Sequence, residues 1–65
     1  MTPEQLREIG EQLYGNWGWQ TKMANALKVD GSTVRRWLSG KTTIPGPAEV
    51  ALDLLLKEEN KGSKN

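Results

Sequence analysis

The chain has 65 residues, no cysteine, no histidine and a formal net charge of +1. That length supports one domain with a small core and argues against a large enclosed catalytic pocket, and the missing residue types remove disulfides, thiolate nucleophiles, imidazole bases and the usual zinc ligands. No enzyme, metal or other cofactor is therefore expected, and the apolar runs 50–52 and 54–56, split by Asp53, are far too short to cross a membrane.

Thr2, Pro3 and Gln5 open the first predicted helix as N-cap, first-turn proline and capping-box partner. Leu6, Ile9 and Leu13 recur at i, i+3 and i+7 as one apolar stripe, Gly15 is the expected stop, and the helix reads as core support. A second helix starts at Asn16 or Gly18 and ends at Val29-Asp30-Gly31, with Trp19, Met23, Ala26 and Leu27 on one side and Ala24 at the edge. The third takes Asp30 as N-cap and Gly40 as its end. At 100° per residue Val34, Trp37 and Leu38 make its buried stripe, which leaves Ser32, Arg35, Arg36 and Ser39 facing outward.

After Pro45 a last helix is expected with Pro47 at its first position and Glu49 in its first turn. Val50, Ala51, Leu52, Leu54, Leu55 and Leu56 exceed what one stripe needs. The surplus, above all Val50, Leu54 and Leu55, either completes the core or forms a self-complementary face for a symmetric homodimer. Residues 60–65 read as a disordered polar tail and residues 1–59 as the domain. The expected fold is all-α: a small bundle of four to five helices containing a helix-turn-helix, with no strand and no repeat.

Charge is divided unevenly along this chain. Residues 1–16 carry −2 and residues 42–65 carry −1, whereas residues 17–41 set Lys22, Lys28, Arg35, Arg36 and Lys41 against Asp30 alone, for +4. A basic centre between acidic flanks fits an anionic partner. Two short helices joined by a turn of about four residues form the arrangement whose second helix can enter a major groove. Ala24 is small where the pair crosses, and Val29 fills the turn. Arg35 and Arg36 are forks suited to guanine or phosphate, with Arg36 nearer the middle of the exposed face. The hydroxyls of Ser32 and Thr33 either satisfy backbone groups of the first turn or touch bases and phosphates. Gln20, Thr21, Lys22, Ser39 and Lys41 fit phosphate contacts. The tryptophans read as volume fillers in a chain without phenylalanine rather than as a stacking platform for single strands: Trp37 and Trp19 in the core, Trp17 capping it from the connection.

The segment QTKMANALKVDGSTVRRWLSG, Gln20 to Gly40, resembles the helix-turn-helix of the phage repressor and Cro-like (lambda-repressor-like) DNA-binding domains. The resemblance covers about a third of the chain closely, and the flanking helices agree with that family's all-α fold in order and length. It implies a positioning helix from Gln20 and a recognition helix from Gly31, with Gln20 against a phosphate and Ser32, Thr33 and Arg36 toward base edges. One position departs: Lys28 stands where the family often has a left-handed glycine. A side chain there costs of order 1 kcal/mol, so either the strain is carried or the turn, and with it the tilt of the recognition helix, changes. The function expected is sequence-specific binding of double-stranded DNA by a cytoplasmic transcriptional regulator of bacterial or phage type. The alternative is a protein-interaction module, antitoxin-like or accessory, that uses the leucine-rich last helix.

Overall fold

The computed structural model describes residues 1–62, with side chains through residue 59, as four α-helices: α1 (Pro3–Tyr14), α2 (Trp19–Leu27), α3 (Gly31–Ser39) and α4 (Gly46–Gly62). The fold is all-α, and no strand occurs among the described residues. Thr2 closes α1 in both directions. Its hydroxyl accepts from the Gln5 N–H at 3.1 Å, and its own N–H donates to Gln5 Oε1 at 2.9 Å. Gly15 ends the helix at φ +88°, donating its N–H to the Glu11 carbonyl at 2.8 Å. The Met1 ammonium donates to Glu49 Oε2 at 2.8 Å and ties the start of α1 to the first turn of α4.

α4 begins one residue before the expected position, at Gly46, with the Glu49 N–H donating to the Pro45 carbonyl at 3.1 Å. It also runs on through residues 60–62, into the stretch read as a disordered tail. Asn60 and Lys61 contain no helix breaker, so the backbone continues to Gly62. Residues 63–65 lie outside the described residues.

One core joins all four helices. Leu6, Met23, Val34 and Leu52, one from each helix, are fully buried, and Trp19, Ala24, Trp37 and Ile44 complete the cluster. Two details differ from the sequence reading. Ala24 is buried and Ala26 exposed, because α2 packs on α1 and α3 at once and its buried arc turns toward Ala24. Ile44, an isolated apolar residue in the loop before α4, also folds inward.

One contact between helices is made by a residue without a side chain. Gly10 is buried on α1, and a Cβ there would fall inside the van der Waals envelope of Trp19 Cε3, so the indole lies directly on the α1 backbone. Burying an indole removes roughly 150–250 Å² from water, about 4–6 kcal/mol at about 25 cal/mol per Å² as an upper bound. Gly10→Ala should therefore lower the unfolding free energy by about 1–2 kcal/mol net, because displacing the ring outweighs a helix-propensity gain of about 1 kcal/mol. Gly46→Ala, whose Cβ would meet open space, should change it by less than about 0.5 kcal/mol. Urea denaturation followed by tryptophan fluorescence measures both.

Candidate nucleic-acid interface

The turn between α2 and α3 fixes how α3 is presented. The Lys28 N–H donates to the Asn25 carbonyl at 3.2 Å and the Val29 N–H to the Ala24 carbonyl at 2.9 Å, a bond pair that closes a helix only if the residue between turns left-handed. Lys28 does so, at φ 59° and ψ 44°. The lysine carries the strain and the turn keeps the shape a glycine would give it. Lys28 is exposed, while Val29 packs on the core. Asp30 stands at the expected N-cap of α3, but its carboxylate makes no capping bond; the Thr33 N–H donates to its backbone carbonyl at 3.0 Å instead.

α3 has one buried stripe and one polar face. Val34 and Trp37 are buried, Leu38 packs on the core, Arg35, Arg36 and Ser39 are exposed, and Ser32 and Thr33 are half-buried. The guanidinium of Arg35 leans back over the first turn: a Cβ built on Gly31 would sit 3.5 Å from Arg35 Nη1. Arg36 stands free of the fold. The Ser39 hydroxyl donates to the Arg36 carbonyl at 3.0 Å, which leaves it as an acceptor or requires that bond to open before it can donate elsewhere. Neither Ser32 nor Thr33 hydroxyl bonds a protein group among the described residues. The Met1–Glu49 contact is the one ion pair there, so Lys22, Arg35, Arg36 and Lys41 have no acidic partner. A second left-handed closure at Gly40 (φ 79°), with the Lys41 N–H donating to the Arg36 carbonyl at 3.1 Å, sets Lys41 directly after α3.

At the start of α2, Gln20 is half-buried and Thr21 and Lys22 are exposed. Gly18, left-handed at φ 72°, stands at the N-cap and supplies no side-chain bond. Trp17 differs from the expectation that it caps the core: it is 89% exposed, whereas Trp19 and Trp37 are 5% and 4% exposed. The space over α1 is already filled by Trp19, and the connection carries two glycines at positive φ, 15 and 18.

On α4 the three residues assigned to a dimer face separate. Val50 and Leu54 are 59% and 57% exposed, while Leu55 packs against the core. Beside them a groove of about 400 Å³, lined chiefly by Ala26, Leu27, Val29, Pro47 and Ala51, runs between α2 and α4. Among the described residues no group of three or more acidic, His or Cys side chains is placed to hold a metal, and no helix is long and apolar enough to cross a membrane. Comparison with protein-family models, curated proteins and solved structures finds no match to this chain.

The left-handed lysine gives a direct test of the turn. Lys28→Gly should raise stability by about 0.5 kcal/mol, since about 1 kcal/mol of strain is relieved and roughly half is lost to glycine's freedom in the unfolded chain. Lys28→Val, β-branched at positive φ, should be less stable than the lysine chain. Thermal and urea midpoints of the three chains give the order.

Proposed function

We propose that this chain is a sequence-specific double-stranded DNA-binding protein of the phage repressor and Cro-like type, acting as a cytoplasmic transcriptional regulator. The observation that carries the reading is the unpaired Arg35–Arg36 face of α3, opposite a stripe held in the core. Guanidinium groups without an acidic partner keep their bidentate forks available for guanine O6/N7 or phosphate oxygens. On this reading α3 lies in the major groove, where Arg36, Ser32 and Thr33 face base edges and Arg35 reaches a base or phosphate. Gln20, Thr21, Lys22, Ser39 and Lys41 hold the backbone and set the register.

One module of this size buries roughly 600–1,000 Å² on DNA, so useful specificity calls for two. Val50 and Leu54 form a ridge beside the Pro47–Ala51 groove on the same helix. A ridge next to a groove is self-complementary across a two-fold axis, which suits a homodimer on a palindromic site. The same exposed pair supports a second reading, an antitoxin-like or accessory module that docks another protein there.

Arg36→Ala should lose about 1–3 kcal/mol on the preferred site and relax one base position, while Lys22→Ala should weaken all sequences alike and reduce the salt slope by about one unit. Selection of bound duplexes from a random pool at two salt concentrations reads both, and identical selections by wild type and Arg36→Ala would remove Arg36 as a base reader. Leu54→Glu should convert dimer to monomer in sedimentation equilibrium and abolish the advantage of a palindrome over a half-site. No shift of any duplex, together with capture of a protein partner that Leu54→Glu abolishes, would favour the second reading.

A further inference from the structure

Trp17 is the most exposed large apolar side chain of the described residues, and the fold makes no use of it. Its indole lines a shallow depression of about 320 Å³ with Asn16, Gly18, Gln20 and Thr21, at the end of α2 where Lys22 is also exposed and without an acidic partner. Glycines at positive φ stand on both sides of it, at 15 and 18. A tryptophan left in water gives up the burial that is the usual reason for such a side chain, yet it keeps a flat apolar face and one N–H donor. Those two properties match a sugar–phosphate strand, which offers an apolar deoxyribose face beside an anionic oxygen. The surrounding charge points the same way, since residues 17–41 carry +4.

We infer that Trp17 is a further backbone-contacting residue for duplex DNA, its ring against a deoxyribose and its indole Nε1–H donating to a phosphate oxygen next to those held by Gln20, Thr21 and Lys22. The inference rests on the function proposed above and adds to it a contact that carries no charge and reads no base. It also accounts for a solvated tryptophan two residues from a buried one.

The full chain allows a test before any substitution is made. Trp19 and Trp37 are shielded, so the acrylamide-quenchable fluorescence belongs to Trp17. Adding random-sequence duplex should protect that component. Trp17→Ala should bind random and selected duplexes about tenfold more weakly than wild type, the low end for a hydrogen bond to a charged group. It should leave the salt slope unchanged, because no counterion is released by an uncharged side chain. Trp17→Phe, which keeps a ring but no donor, should fall between them. All three chains should melt at the same temperature, since Trp17 is outside the core. Equal duplex affinity of wild type and Trp17→Ala, with Trp17 still quenchable in the complex, overturns the inference while leaving the DNA-binding reading intact. Absence of any duplex binding by wild type overturns both. Tighter, Trp17-dependent binding of a single-stranded oligonucleotide than of duplex replaces the duplex backbone with a stacked base as its partner.

Discussion

The seat of Trp19 on the bare backbone of Gly10 is the contact from which the rest of the molecule is built. It lets the indole of α2 rest on α1 with no side chain between, and α2 is only nine residues long. A helix that short has little stability of its own and takes its place from packing. With α2 fixed, Ala24 offers a low surface on which α3 can rest, and the turn through Lys28 and Val29 leaves α3 one way to lie. Val34 and Trp37 then point into the core and the arginines point away from it.

Features decided within one helical turn were legible in the sequence. The capping box at Thr2 and Gln5, the stop at Gly40 and the buried stripe of α3 each involve residues no more than four positions apart, so local geometry determines them. Features decided by a distant partner were not legible. Gly10 looks like a weak residue in a helix until the indole nine positions later is placed on it. Its position on the stripe with Leu6 and Leu13, ahead of a large aromatic, was the signal available. Trp19 was legible as core from its place one turn before Met23, but the exposure of Trp17 was not, because it depends on Trp19 already filling the space over α1. The same holds for Ala24 against Ala26, for Leu55 against Leu54, and for Ile44, whose neighbours in sequence are polar or proline. Asp30 shows a subtler limit. Its position at the N-cap was readable, but the absence of a side-chain bond depends on a rotamer that no spacing encodes.

The face of α3 was predicted from one wheel and is found as drawn at Arg35, Arg36 and Ser39, because a helix with three large apolar residues on one side has a single way to bury them, but Ser32, read as facing outward, is half-buried in the first turn. What the wheel could not supply was the state of the polar groups. That Arg35 leans over Gly31, that the Ser39 hydroxyl is engaged by a carbonyl of its own helix, and that the Ser32 and Thr33 hydroxyls have no protein partner among the described residues are facts of three-dimensional neighbourhood. Lys28 lies between the two cases. The sequence marked the position as a conflict between backbone and side chain, and only the closed bond pair to Ala24 and Asn25 shows that the backbone prevailed.

The near-zero total charge conceals an uneven division among the helices. The acidic helices α1 and α4 touch each other, while the exposed cations Lys22, Arg35, Arg36 and Lys41 belong to α2, α3 and the residues just after, although α1 packs on both of those helices as well. Such a body feels a torque in the field of any polyanion well before contact. Within about a Debye length, roughly 8–10 Å at physiological ionic strength, it swings its basic side forward, and arrivals on the other side are repelled. A protein with the same few cations scattered evenly would drift in with no preferred heading.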